Sequence, residues 1–337
     1  MSLNYPALFP SHRSAAVETA LATAFTTTPT AITLLTGGLS AATVYKLIVE
    51  DRAYVLKLEV TDTGGTTSGS EKAMLAAAAG IAPQVYYRNA QEGIIISEFI
   101  ENKPIRSIFT GEVLAVKLGA AIKVTHAIPY STPGNDMKTF IDQLLQDFRQ
   151  RKVLSGAIPD ECLNRYAQVR EIYPWGTDHV FSHNDLNPTN ILCDGENIRF
   201  IDWDASFLND RYADLAGAAN FFVHTPEQEK ALLNEYFECA TTDYQFARFK
   251  VMRQISRIIY SLLMLQLAAQ GKPSDYDHDQ QMEGVTLKEV GPLLGTGKLS
   301  LATYEGQFMY GKALMNEALQ QMRAAEFAQY MVQLNSK

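Results

Sequence analysis

The hydrophobic pattern of this chain changes period once, near Pro104, and that change limits the folds open to it. Before Pro104 the apolar segments read as strands. Ile32–Thr36, Val44–Val49 and Tyr54–Val60 are short and rich in β-branched residues or leucine. Glu50-Asp51-Arg52 makes a tight connection and Gly37-Gly38 separates the first pair, so three successive antiparallel strands are expected. A Thr/Gly/Ser-rich loop follows over Thr61–Ser70, then a helix over Glu71–Ala79 ended by Gly80 with Pro83 beyond it. Gln84–Tyr87 and Gly93–Phe99 read as two more strands. After Pro104 the apolar spacing turns helical, at Glu112–His126 and Met137–Arg149. Strand signals return at Asn190–Cys193 and Ile198–Ile201, across an Asp194-Gly195 turn. From Glu227 onward the pattern is helical, with breaks expected at Gly271-Lys272-Pro273 and Gly291–Gly297. The reading is an α+β chain: a small antiparallel β-rich lobe over 1–100, a connector near Glu101–Ile105, and a larger α-rich lobe over 101–337. A length of 337 residues agrees with two such lobes.

Charge narrows the partners. Lys plus Arg total 29 against 37 Asp plus Glu, a net charge of -8. That balance argues against duplex nucleic acid and anionic membrane surfaces, where cationic footprints dominate. It suits a cationic small molecule, and a local Lys with a metal ion still neutralises a nucleotide's phosphates. The apolar run Ile258–Ala269 is interrupted by Ser261 and Gln266 and is too short to span a bilayer. Met1–Arg13 carries no signal-peptide pattern. Cys162, Cys193 and Cys239 match no zinc or CxxC spacing and read as reduced core thiols of a cytoplasmic protein. Oligomeric state is not legible.

The chemistry is concentrated in Phe181-Ser-His-Asn-Asp-Leu-Asn-Pro-Thr-Asn-Ile-Leu, followed by Phe200-Ile-Asp-Trp-Asp. His183, Asp185 and Asn190 form HxDxxxxN, and Asp202 closes a short apolar run. Phosphoryl transfer from ATP needs a carboxylate that orients the acceptor hydroxyl and takes its proton. It also needs an amide and a second carboxylate that hold magnesium on the phosphates. Asp185 fits the first role, and Asn190 and Asp202 fit the second. Three fixed positions alone are a weak signal, but the added apolar-Asp-Trp-Asp at this spacing makes it strong. A bare surface role for Asp202 is disfavoured, because an unpaired charge in an apolar strand is costly.

Residues 181–222, through Asp214-Leu-Ala, resemble the core of the choline/ethanolamine kinases, within the aminoglycoside-phosphotransferase group that shares the protein-kinase-like fold. His-Asn-Asp-Leu, Ile-Asp-Trp and Leu208-Asn209-Asp210 resemble the bacterial choline-kinase branch in particular. The resemblance spans roughly Thr36–Phe222 and thins in the last third. It implies a bilobal fold, ATP and Mg2+ as cofactors, and small-molecule kinase activity. It also implies that Gly37, Gly38 and Ser40 form a phosphate loop and that Lys57 sits on the ATP phosphates, held there by Glu71. In the same way Ser97, Glu98 and Ile100 lie in the inter-lobe segment whose backbone reads adenine. The residues alone also read as a plain Gly-Gly hairpin at Gly37-Gly38, a solvated edge lysine at Lys57 and a first-turn partner of the helix dipole at Glu71. Ala41-Ala42 stand where the family often has a polar residue, and the chain has no full GxGxxG, APE segment or activation loop. A protein kinase proper is thereby disfavoured.

The remaining candidates carry two readings each. His183 and Asp214 are read as braces of the catalytic loop. Asp204 reaches a metal ion or the acceptor, or is a solvated carboxylate. Trp203, Tyr212 and Tyr260, with Phe221 and Phe222, are aromatic faces for a quaternary ammonium or simply core. Asp275-Tyr-Asp-His-Asp reads as a solvated acidic loop. The expected function is phosphorylation of a small cationic metabolite's hydroxyl. The alternatives are an aminoglycoside or other hydroxyl acceptor and, from a different class, a nucleotide-binding pseudoenzyme.

Overall fold

The computed structural model describes residues 8–35, 42–59, 69–132, 134, 136–274 and 277–335. In chain order the elements begin with α1 (Ser14–Ala24), β1 (Ala31–Leu35), β2 (Thr43–Val49), β3 (Arg52–Leu58) and α2 (Gly69–Ala78). There follow β4 (Val85–Asn89), β5 (Ile94–Glu98), α3 (Ile105–Ile108), α4 (Gly111–His126), α5 (Met137–Arg151) and α6 (Ala157–Ile172). The middle of the chain forms β6 (His179–Ser182), β7 (Ile191–Cys193), β8 (Ile198–Phe200), a 3-10 turn (Trp203–Ala205) and β9 (Phe207–Asp210). The rest is helical: α7 (Arg211–Phe222), α8 (Pro226–Phe237), α9 (Asp243–Gly271), α10 (Leu287–Gly295), α11 (Tyr304–Arg323) and α12 (Ala325–Asn335). The chain divides into two compact units, Met1–Tyr130 with His183–Ser206, and Ser131–Ser182 with Phe207–Lys337.

The first unit is built on an antiparallel sheet in the order β1-β2-β3-β5-β4. Glu50 and Asp51 join β2 to β3, and both have positive φ (48° and 60°). That is the two-residue hairpin turn whose twist matches the strands. Strand alternation then sorts the residues of β3. Leu56 and Leu58 enter a core with Tyr45, Leu47, Ile94, Ile96 and the α1 residues Val17, Ala20 and Leu21. Lys57, between the two leucines, is left to the opposite face. The sequence pattern did not anticipate α1, whose apolar face completes this core.

The β7–β8 hairpin belongs to the first unit because its backbone is tied there. Cys193 donates its N–H to Asn102 Oδ1 at 2.9 Å and accepts from the Lys103 N–H at 2.8 Å. Phe200 donates to Ile81 O at 2.8 Å. The connector after β5 and the loop after α2 therefore hold both strands of the hairpin.

The second unit is organised on α9, whose start is fixed by a capping box between Thr242 and Gln245. Ala247, Phe249, Val251, Met252, Ile255, Ile258, Leu262, Leu265 and Ala268 are all buried along it. Gly311 lets α11 approach it: a Cβ there would meet Leu265 Cγ at 2.8 Å, and Ser261 Oγ donates to Gly311 O at 2.7 Å. The break expected at Gly291–Gly297 is corrected. Helix α10 runs through Gly291 and Pro292, because Thr286 and Glu289 cap its start and Val290 packs with Val285 and Ala313. Packing overrides the breaker signal. Cys239 is exposed, which corrects its reading as a core thiol, whereas Cys162 and Cys193 are buried. Burial pushes the Cys162 thiol up to about 12, so it holds its proton.

Candidate active site

Every proposed nucleotide and metal residue within the described part lies in the first unit. The site starts from the loop before β7. His183 is fully buried, packed at 4.6 Å between ring centroids on Trp203. Its Nε2 lies 2.9 Å from Ile201 O. A carbonyl only accepts, so that nitrogen carries the proton. Nδ1 then accepts the Asp185 N–H at 3.3 Å. The ring is a neutral strut between the loop and the end of β8, which is the structural role its sequence context implied.

Asn190 and Ile201 lock the same two segments. Ile201 donates its N–H to Asn190 O at 3.0 Å. Asn190 Nδ2 donates to Asp185 O at 2.9 Å and to Asp185 Oδ2 at 3.0 Å. Asn187 Nδ2 donates to Asp185 Oδ1 at 3.1 Å. Two amides therefore orient the Asp185 carboxylate, and the Asn190 amide is turned so that Oδ1 is its acceptor end. Asn184, at φ 65°, donates to Ala205 O at 3.0 Å and ties the loop to the 3-10 turn. Asn184 and Asn187 went unnoticed in the sequence; their place inside an Asx-rich turn was the only signal.

Asp202 caps that turn in the left-handed region, at φ 64°. Aspartate tolerates this conformation better than most residues. Its Oδ1 lies 3.2 Å from Lys57 Nζ, and Asp204 Oδ2 lies at 3.2 Å from the same ammonium. Glu59 Oε1 is 3.7 Å away. Burial works against the Lys57 charge, but Asp202, Asp204 and Glu59 outweigh it and raise its pKa. Burial raises the Glu59 pKa in turn, despite Lys57. One ammonium facing three carboxylates leaves an excess of negative charge on hard oxygen donors. Together with Asn190 Oδ1, this donor set fits a divalent cation that keeps water and phosphate as its other ligands. Among the described residues no group of three or more His, Cys, Asp or Glu is arranged to hold a metal unaided. Magnesium, which commonly takes one or two protein carboxylates, does not need one.

Glu71 does not hold Lys57, and that expectation is corrected. Its Oε2 lies 3.9 Å from Arg88 Nη2. The next residue takes the inward position instead: Lys72 is buried and donates to Asp204 O at 3.4 Å. Successive helix positions point about 100° apart, so in the first turn of α2 only one of them faces Asp204. Gly69 makes the approach possible, since a Cβ there would overlap the Asp204 carboxylate. Lys72, Glu59 and Arg88 carried no motif in the sequence.

Ser97 and Glu98 close β5, and Ser97 shares the sheet face of Lys57. The Glu98 and Phe99 N–H groups are taken by Gln84 O and Ala53 O. Ile100 follows with no backbone–backbone hydrogen bond among the described residues. Gly37, Gly38 and Ser40 lie outside the described residues, as do Asp275 and Tyr276 of the acidic run. In the rest of that run Asp279 accepts from buried Lys312 at 3.2 Å.

The aromatic candidates separate. Trp203 is 2% exposed and its indole N–H donates to Phe200 O at 3.1 Å. Tyr212 is also 2% exposed, with the Arg248 guanidinium 4.6 Å from its ring centroid. Arg248 in turn binds Asp210 and Asp178 at 2.5 Å each. Neither ring offers the open face a substrate cation requires, which corrects that expectation for both. Tyr260 is partly exposed on α9, edge-on to Phe221 at 6.1 Å.

The profile of the phosphotransferase enzyme family (APH) matches residues 31–249. The chain belongs to that family. It is 28% identical over 145 residues, 42% of its length, to the protein LicA homolog of Mycoplasma capricolum, and the match spans 57% of that relative. A choline/ethanolamine kinase family protein from Mesorhizobium loti superposes with a TM-score of 0.65 at 19% identity, over 90% of this chain and 92% of the other. Choline kinase LicA from Streptococcus pneumoniae superposes at 0.58 and 17% identity, over 92% and 99%. The N-terminal sheet and helical remainder are those of the protein-kinase-like fold, as the sequence resemblance implied. The phosphotransferase family supports the expected enzyme class, a small-molecule kinase. Among the described residues no helix is long and apolar enough to cross a membrane.

Proposed function

We propose that this protein is an ATP- and magnesium-dependent phosphotransferase acting on the hydroxyl of a small cationic metabolite of the choline or ethanolamine type. The observation that carries the reading is one continuous linkage: Asp185 to Asn190, Asn190 to Ile201, and the adjoining Asp202 to Lys57. Asp185 orients the acceptor hydroxyl and takes its proton as the new O–P bond forms and the β–γ bridging bond breaks, releasing ADP. Asn190 and Asp202 hold the metal, which when bound screens the phosphate charge. Lys57 binds the phosphates, with Gly37, Gly38 and Ser40 as their backbone cradle. Ser97, Glu98 and Ile100 present the adenine edge, and Glu71 supports α2 through Arg88. Residues 1–100 form the nucleotide-binding lobe and 101–337 the catalytic and acceptor lobe, and the enzyme works in the cytoplasm without nucleic acid or membrane insertion.

Lys57 supplies a first prediction. Lys57→Ala weakens ATP binding and slows transfer together, because the lost cation faces phosphate in both ground and transition states. Isothermal titration with a nonhydrolysable ATP analogue, beside steady-state kinetics, measures both. An unchanged affinity moves the role to another cation. Lys46, opposite Val55 on the same sheet face, is next in line, its Nζ 4.1 Å from the Phe99 ring centroid.

The acceptor class rests on the likeness to choline/ethanolamine kinases, on the net charge of -8 and on Asp204, half exposed beside the site. A second reading, an aminoglycoside or another hydroxylated acceptor, is favoured by the burial of Trp203 and Tyr212, which removes two aromatic faces a quaternary ammonium would use. The test is kcat/KM for choline, ethanolamine and a panel of aminoglycosides under one condition. Choline-type acceptors should dominate. Turnover of choline no faster than ATP hydrolysis, with an aminoglycoside phosphorylated efficiently, moves the acceptor to the second reading and leaves the phosphotransfer chemistry intact.

A further inference from the structure

The second unit forms a half-open cavity of about 590 Å³ between the end of α7 and helices α8, α9, α10 and α11. Small-molecule sites fall in this size range. Part of its wall is aromatic and aliphatic: Phe221, Tyr260, Tyr310, Leu287 and Leu314. Its charge is unusual for so acidic a chain. Among the described residues, Lys250, Arg253, Arg257 and Lys288 line it beside two carboxylates, Glu229 and Glu317.

The carboxylates do not balance the cations evenly. Glu229 is buried and is shared by Lys250, at 2.9 and 3.1 Å, and by Arg253. Arg253 spends its other donors on Asn220 Oδ1 at 3.0 Å and on the carbonyls of Ala219 and Val223. Arg257 is left over. It is 7% exposed, and its one hydrogen bond among the described residues runs from Nη1 to Gln254 Oε1 at 2.7 Å. Its Nε is buried with no partner, and no carboxylate of the described residues comes within ion-pair distance. Burial, then the neighbouring Arg253, push its pKa down to about 10, against opposing pulls from Glu317 and Glu229. A guanidinium is a strong, forked donor to carboxylate and phosphate. Leaving one desolvated, charged and half-bonded at the wall of a cavity is costly unless an anion completes it.

We propose that this cavity binds a small organic anion, its carboxylate or phosphate held by Arg257 and Lys288 and its apolar body against Tyr260 and Tyr310. This takes Tyr260 out of the cationic-acceptor role. The proposal does not rest on the acceptor assigned above, because every described residue lining the cavity belongs to the second unit.

The test uses the full chain and three probes of similar size: benzoate, phenyl phosphate and benzyltrimethylammonium, each titrated calorimetrically and in thermal melts. At least one of the two anions should bind and raise Tm, and which of them binds more tightly identifies the oxyanion. The ammonium should do neither. Arg257→Met, which keeps the side-chain volume without the charge, should weaken anion binding at least tenfold. Lys288→Glu, on an exposed position of α10, should weaken it without disturbing the fold, so the test survives if Arg257→Met does not fold. Lys57→Ala should leave it unchanged. Absence of anion binding, equal binding of the ammonium, or affinity unchanged in the folded variants overturns the proposal. So does loss of anion binding in Lys57→Ala, which would place the anion at the nucleotide site.

Discussion

Asp185→Ala is expected to lower kcat by about 10²–10⁴-fold, the range for a positioned general base, while ATP affinity stays close to that of the parent protein. The geometry makes this a clean test. Asn190 donates to the backbone oxygen of Asp185 as well as to its carboxylate. The alanine variant keeps the first of these bonds, so the amide stays anchored when the carboxylate goes. The Ile201 N–H to Asn190 O bond is backbone only and is also kept. His183, bonded to the Asp185 N–H and to Ile201 O, continues to hold the loop against β8. What is lost is the carboxylate, the proposed proton acceptor. Steady-state kinetics beside nucleotide titration separates the two effects, and near-native kcat with any good acceptor would refute the assignment.

The second large effect is expected at Asp202. Removing its charge should reduce magnesium-dependent turnover by about 10³-fold or more, since charge stabilisation by a catalytic metal is worth several kcal/mol and each 1.36 kcal/mol is tenfold in rate. Asp202→Ala would also place a Cβ without polar compensation at φ 64°. Asp202→Asn is the better variant, because asparagine accepts the left-handed conformation at little cost. It retains an oxygen near Lys57 while halving the charge available to a metal together with Asp204. The expected signature is a steep rise in the magnesium concentration needed for half-maximal rate, with Tm close to the parent's. Magnesium dependence identical to the parent's would remove Asp202 from the metal site.

The fold was legible where chemistry is local. Strand alternation in β2 and β3 and the Glu50-Asp51 turn could be read because each depends on residues a few positions apart. The loop before β7 was legible for the same reason: His183, Asp185 and Asn190 lie within eight consecutive residues, His183 and Asn190 each bonding to Asp185. Misreadings arose where packing outweighed local preference, as when α10 ran through Gly291 and Pro292, or where a partner lay far off in sequence. Glu71 is the clearest case. Its position at the start of a helix was right, but which side chain of that first turn faces Asp204 depends on how α2 is rotated against the turn at Trp203–Ala205.

By itself, then, the sequence determined the succession β1 to β5 and the β7–β8 hairpin, though not α1, α6, β6 or β9, and the identity of the residues able to accept a proton, bind a hard cation or pair with phosphate. Those properties follow from backbone periodicity and side-chain chemistry, which need no distant partner. Tertiary structure alone decided which charges meet. Lys57 reaches Asp202 across 145 residues of chain, and Lys72 rather than Glu71 turns toward Asp204. It also decided which aromatic faces stay open, since Trp203 and Tyr212 are consumed by packing against His183 and Arg248. The physical reason is common to all of these. Burial and ion pairing depend on distances between segments remote in the chain, and those distances exist only once the core has closed.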